Sequence, residues 1–186
     1  MKKKLIIILG VLLTIGVFGY TSVSGASTDT EVNLDWKLDG KDLKKLELIG
    51  AEQDVFIQVE QTENKETSIH LEGKVSDNTE RNLKKVRQTE DVLKIELSSL
   101  NKVRVMATNE GKDRLKLVVS LGRDVLLKEF DIKSAIGNVE VTVPANFKGE
   151  YLSDNKGYGE ITVLKSDKAA NQLVSVETMG DITIKK

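Results

Sequence analysis

Apolar and polar positions alternate along most of the chain after Asp29. Leu46-Glu47-Leu48, Val55-Phe56-Ile57-Gln58-Val59, Ile69-His70-Leu71, Val92-Leu93-Lys94-Ile95-Glu96-Leu97 and Val103-Arg104-Val105 carry the pattern in the first part of the chain. Leu115-Lys116-Leu117-Val118-Val119 and Val139-Glu140-Val141-Thr142-Val143 continue it. A period of two turns one set of side chains inward and the other into water, which is the signature of half-buried strands. Val, Ile and Thr recur in these runs, as strand packing favours. Asp39-Gly40, Asn109-Glu110-Gly111 and Lys156-Gly157 supply turn punctuation. Residues 77–85 break the alternation and are expected to hold one helical turn or a loop. Short strands at regular spacing, without alternating helices, predict an all-β protein.

A repeat runs through the last third. Ile136-Gly137-Asn138-Val139-Glu140-Val141, Tyr158-Gly159-Glu160-Ile161-Thr162-Val163 and Met179-Gly180-Asp181-Ile182-Thr183-Ile184 share one form, with glycines 22 and 21 residues apart. Phe130, Leu152 and Leu173 stand seven residues before these glycines. A repeat of this length with a short strand in each unit marks a stacked coil. Gly137, Gly159 and Gly180 are the expected corners, with φ > 0, and the β-branched pair after each points into the stack. Units of this kind gain their core from the units above and below. The expectation is a single-stranded, β-helix-like β-solenoid, preferred over a plain antiparallel sandwich. It is most regular over 115–186 and preceded by a less regular β region. Its last coil is the C-terminal one, where Lys185 and Lys186 discourage edge pairing.

The N-terminus carries an address. Lys2, Lys3 and Lys4 precede an apolar run from Leu5 to Tyr20, and no charge returns until Asp29. A basic cap before an apolar stretch engages the membrane and keeps its positive end inside. Ser24-Gly25-Ala26 offers a signal-peptidase site between Ala26 and Ser27. The uncharged stretch is also long enough to remain as an anchor. Both readings export the rest of the chain, either tethered to the outer face of the cytoplasmic membrane or secreted. The expected organisation is a signal or anchor over 1–26, a linker over 27–40 and a β domain over 41–186.

Composition narrows the chemistry. Net charge is −1, Cys is absent, and there is one His, one Trp and one Pro. The absence of Cys removes disulfides and thiolate chemistry, and one His removes a multi-histidine metal site. His70 sits on the polar face of a strand, and no Gly-x-Ser-x-Gly elbow accompanies it. Asn138, Glu160 and Asp181 occupy equivalent repeat positions and would stack in a column. Turn chemistry accounts for polar residues there better than a carboxylate pair does. No catalytic, cofactor or metal residue is assigned, and the chain is expected to be no enzyme.

Charge is unevenly spread: residues 31–80 carry −7 and residues 81–116 carry +5. Lys84, Lys85, Arg87, Lys102, Arg104, Lys112, Arg114 and Lys116 form the candidate patch for an anionic envelope polymer or lipid surface. The competing account pairs them with acidic residues on neighbouring strands. Nucleic acid is not expected, because no stacking aromatics interleave with the basic residues.

Several of these segments carry a family likeness. Leu46-Glu47-Leu48-Ile49-Gly50 with Asp54-Val55-Phe56-Ile57, then Leu117-Val118-Val119, Phe130-Asp131-Ile132-Lys133-Ser134 and the three Gly-(Asn/Glu/Asp)-(Val/Ile)-x-(Val/Ile) units resemble the bacterial putative-adhesin family. That family is a domain of unknown function in cell-envelope proteins, and it includes a membrane-anchored product of the lia envelope-stress operon. The resemblance implies a β-solenoid outside the membrane and a role in adhesion or envelope stress. It brings no catalytic residues. A non-enzymatic binding or structural module is the leading expectation. The alternatives are a regulator that contacts a membrane sensor protein and a polysaccharide-active enzyme.

Overall fold

The computed structural model describes residues 30–38, 43–86, 88–98 and 114–186. Thirteen strands and one short helix appear among them. The first part holds β1 (Thr30–Leu38), β2 (Lys45–Ala51), β3 (Asp54–Gln61), β4 (Thr67–Val75), α1 (Asp77–Leu83), β5 (Gln88–Thr89) and β6 (Val92–Glu96). The second holds β7 (Arg114–Leu121), β8 (Glu129–Ser134), β9 (Val139–Thr142), β10 (Glu150–Asn155), β11 (Ile161–Thr162), β12 (Leu173–Thr178) and β13 (Ile182–Lys185).

The strands form a seven-stranded sheet in the order β1-β4-β7-β3-β9-β13-β11 and a six-stranded sheet in the order β10-β12-β8-β2-β6-β5. Five strand pairs each place one member in either sheet: β2–β3, β6–β7, β8–β9, β10–β11 and β12–β13. Each such pair is one coil. All ladders between neighbouring coils are parallel. Inward side chains from both sheets merge in one apolar core. Leu46, Leu48, Phe130 and Ile132 come from the six-stranded sheet, and Val55, Ile57, Leu117 and Val141 from the other, all essentially inaccessible. Burying each contributes roughly 1.5–3 kcal/mol.

The coils do not stack in chain order. From one end, the stack runs β10–β11, β12–β13, β8–β9, β2–β3, β6–β7. The third coil in sequence therefore lies beside the first, and the last is inserted between the third and fourth. The early part of the chain, expected to be less regular, supplies a full coil (β2–β3) to the interior of the stack.

At the β6–β7 end the parallel pattern stops. β4 runs antiparallel on β7, β1 antiparallel on β4, and β5 antiparallel on β6. The fold is therefore nearly all-β with mixed sheets. Helix α1 starts at Ser76, whose hydroxyl accepts the Thr79 N–H at 3.3 Å, and it buries Thr79 and Leu83. A side-chain N-cap of this kind satisfies one of the donors a helix start leaves unpaired.

Several expectations need correcting. The segment expected as a linker contains β1, paired with β4 along its whole length. The stack does not end at the C-terminus: β13 lies between β9 and β11, and Lys185 pairs with Glu140 at 2.5 Å. The seven-residue offset before the glycines also fails. Phe130, Val174 and Tyr151 are the aligned core positions, whereas Leu152 points outward, because corner lengths differ by one or two residues between coils. Among the three corner glycines only Gly137 has a left-handed backbone (φ +94°). Gly159 and Gly180 are needed for close approach instead: a Cβ would lie 2.3 Å from the Gly180 carbonyl oxygen and 2.4 Å from the Gly137 carbonyl oxygen, respectively. The signal or anchor segment, Ala26 and Ser27 included, and the expected strand at Val103–Val105 lie outside the described residues. Among the described residues no helix is long and apolar enough to cross a membrane.

Candidate functional site

The outer face of the seven-stranded sheet carries two grooves and a row of paired charges. The β4–β7 ladder sets Gly73 opposite Leu115, Glu72 opposite Lys116 and His70 opposite Val118. Gly73 has φ +142°, and a Cβ there would meet the Arg114 carbonyl oxygen at 2.4 Å. No side chain fits at this crossing. A groove of about 490 Å³ lies over it, bounded by Glu31, Glu72, Lys74, Arg114 and Lys116. A second groove of about 360 Å³ lies on the other side of Arg114 and Lys116, over Phe56 and Gln58 and up to Glu140. Arg114 packs its guanidinium over the Phe56 ring, 5.1 Å from the centroid. Such stacking fixes the direction of the cation and adds a cation–π attraction.

Beside the first groove, charges from three strands join in a row. Asp35 on β1 and His70 Nδ1 are 2.9 Å apart, His70 Nε2 and Glu72 are 3.5 Å apart, and Lys116 donates to Glu72 at 2.9 Å. The Asp35 hydrogen bond leads the contributions that raise the His70 pKa above its ordinary value. Lys116, and after it His70, hold the Glu72 carboxyl below the usual carboxylate range. An imidazole held between two carboxylates is an ion-pairing group across the β1–β4 ladder. Among the described residues no group of three His, Asp or Glu is placed to hold a metal.

The structure divides the basic residues singled out from the sequence. Arg114 and Lys116 line both grooves, and Lys116 is paired with Glu72. Lys84 and Lys85 follow helix α1; Lys84 pairs with Glu80 at 2.7 Å, and Lys85 lines a different hollow, with Lys94 and Glu96. Arg87, Lys102, Arg104 and Lys112 lie outside the described residues. Phe56, Glu72 and Asp35 were not picked out from the sequence. Phe56 had a signal, an aromatic on the polar side of an alternating run. Asp35 had none, because only the β1–β4 register brings it to His70.

Asn138, Asp181 and Glu160 do form a column, in that spatial order, with Asp54 ahead of them. Asp54 Oδ1 accepts the Asn138 N–H, Asn138 Oδ1 accepts the Asp181 N–H, and Asp181 Oδ1 accepts the Glu160 N–H, each at 2.8 Å. Every acceptor caps the corner of the next coil, which is turn chemistry. Gln53-Asp54-Val55-Phe56-Ile57 is thus a fourth repeat unit lacking the glycine, and its Asp-Val-x-Ile core is visible in the sequence.

A family model described as Toastrack DUF4097 matches residues 43–186. No curated protein matches the chain. Among solved structures, a putative cell adhesion protein from Clostridium sporogenes ATCC 15579 is similar at 15% identity and a TM-score of 0.41, over 84% of this chain and 99% of that one. A putative adhesin from Parabacteroides distasonis ATCC 8503 is similar at 14% identity and a TM-score of 0.40, over 83% and 66%. A putative lipid binding protein from the same organism is similar at 12% identity and a TM-score of 0.35, over 81% and 67%.

Proposed function

The chain belongs to the Toastrack DUF4097 family, and from that premise we propose a non-enzymatic module of the cell envelope, held outside the cytoplasmic membrane by its N-terminal segment or released there. Its parallel coils act as a solenoid-like scaffold that presents a broad strand face. The outer face of the seven-stranded sheet is the binding surface, and its ligand is an anionic envelope polymer. The observation that supports this is the pair of grooves meeting at Arg114 and Lys116, with Phe56 holding Arg114 in place. Shallow grooves on a face suit a long, repetitive ligand held by many weak contacts better than a small molecule, which needs an enclosing pocket. The acidic rim (Glu72, Glu140) limits affinity and makes binding sensitive to charge spacing.

The test is binding of the full chain to a glycerol-phosphate polymer across a salt series. We expect retention at low salt that fades as screening shortens the electrostatic range, and its loss when Arg114→Gln and Lys116→Gln are combined. Retention unchanged in that double variant, or none at any salt, overturns the assignment of this face.

A further inference from the structure

The two ends of the stack are built differently. At the β6–β7 end, β4, β1 and β5 turn antiparallel and helix α1 packs nearby, so the parallel ladder is closed off. At the other end, among the described residues, nothing equivalent follows the β10–β11 coil. Among the described residues no strand pairs with β11 on its far side.

The core is unfinished at that end. Ile161 and Val163 occupy the inward positions that Ile182 and Ile184 fill in the next coil, yet they are 46% and 38% exposed where Ile182 and Ile184 are 0% and 1%. Leu152 and Tyr158 of this end coil are exposed too, as is Met179 of the coil beside it. The six-stranded sheet protects its own edge: Ser166 Oγ accepts the Tyr151 N–H at 2.8 Å and donates to the Tyr151 carbonyl at 3.2 Å. Among the described residues the seven-stranded sheet has no such cover. The Glu160 backbone carbonyl accepts the Ile182 N–H, so the polar backbone groups of Ile161 and Val163 point the other way, out of the sheet edge.

We propose that this end docks on the same end of a second copy of the chain, β11 pairing antiparallel with β11 about Thr162. A two-fold axis at Thr162 sets Ile161 of each copy opposite Val163 of the other, so the backbone edge and the open apolar layer are completed together. It also brings the Glu160 end of one strand alongside the Lys165 end of the other, giving charges of opposite sign at both ends of the ladder. A partner that completes a sheet edge and a core layer must itself carry both features, and this chain's own end does. Pairing of like ends closes on itself, and the capped far end offers no matching layer to extend a filament. β1, which follows the apolar N-terminal segment, lies at the opposite edge of the sheet, six strand spacings or roughly 30 Å away. The open end of a tethered chain therefore stays within reach of a neighbour.

The chain has no Cys, so one introduced thiol reports this contact alone. Across the axis, Thr162 faces itself as a non-hydrogen-bonded pair, whose Cα separation of about 4.5 Å suits a disulfide. The full chain carrying Thr162→Cys is expected to oxidise to a covalent dimer, while Thr183→Cys, one strand inward on the same face, stays monomeric. Adding Ile161→Glu or Val163→Glu to Thr162→Cys is expected to abolish the cross-link with the far-UV circular dichroism unchanged. A Thr162→Cys thiol that reacts with a small reagent but never cross-links overturns the proposal. So does equal cross-linking at both positions, or a cross-link that survives both Glu variants. Chains that stay monomeric and bind phosphatidylglycerol vesicles through Ile161 and Val163 would overturn it in favour of a lipid surface.

Discussion

Asn138 and Asp181 are 43 residues apart in the chain and neighbours in the fold: the Asn138 side-chain carbonyl accepts the Asp181 N–H at 2.8 Å. That bond joins the third coil to the fifth. The fourth coil, between them in sequence, is displaced to the end of the stack.

Removing the acceptor tests the corner ladder. Asn138→Ala leaves the Asp181 N–H to water and is expected to cost about 0.5–1.5 kcal/mol, seen as a lower urea midpoint with an unchanged slope. Asn138→Asp keeps the oxygen and should restore most of the midpoint. Equal midpoints for all three chains would mean the ladder adds nothing to stability.

Ile182 and Ile161 share one motif position and one register but not one environment. Ile182→Ala opens a cavity in a closed core and is expected to cost about 2–5 kcal/mol. At dilutions where the chain is monomeric, Ile161→Ala should cost far less, because nearly half of that residue already faces water. Matching losses for the two variants in dilute urea titrations would contradict the description of an open end.

Gly137→Ala meets two obstacles. Its φ of +94° is disfavoured for a side chain, and the added Cβ would sit 2.6 Å from the Gln53 carbonyl oxygen. The expected loss is of order 1–3 kcal/mol, measured by thermal unfolding. A variant as stable as the parent would show that this corner relaxes freely.

The Asp35–His70–Glu72–Lys116 row makes the attachment of β1 pH-dependent. His70 has a raised folded pKa, so its contribution is complete below the unfolded value of about 6.5 and is lost as pH rises through the folded one. Glu72 has a lowered pKa, so its contribution is present above about 4.5 and is lost as pH falls. The row therefore supports the fold most between about pH 4.5 and 6.5. Trp36, on β1 and partly buried against the core, is the only Trp and reports this locally. Its fluorescence-detected unfolding midpoint should fall from pH 6 to pH 8.5 in the parent and stay flat in His70→Gln. An imidazole titrating below 6.5 by NMR would reverse the sign and refute the account.

Much of the fold is legible residue by residue. The alternation in Val55–Val59 or Val139–Val143 marks strands whichever neighbours they take, since a period of two leaves a single face that can be buried. The corner motif at Gly137, Gly159 and Gly180 announces equivalent coils, and the shared β-branched pairs announce a common core. Helix α1 was faint because seven residues carry too little periodicity to separate a helical turn from a loop. The grooves at Arg114 were half legible: the basic residues stood out, but the acidic partners and Phe56 come from strands far away in sequence.

The sequence by itself determined that stacking strands would follow a basic, apolar N-terminal segment, and it marked the inward pair after each corner, though not the inward residues of β10 and β12. Only the tertiary structure decided the order of the coils. Each coil offers nearly the same strand edges and the same apolar pair to its neighbours, so backbone hydrogen bonds hardly distinguish one order from another. What breaks the tie is long-range: the antiparallel caps on β6 and β7, the side-chain ladder from Asp54 to Glu160, and the corner lengths that bring Tyr151, Val174 and Phe130 into one layer. Those contacts exist only once the whole chain has packed, and they leave Ile161 and Val163, rather than the C-terminal strand, at the open end.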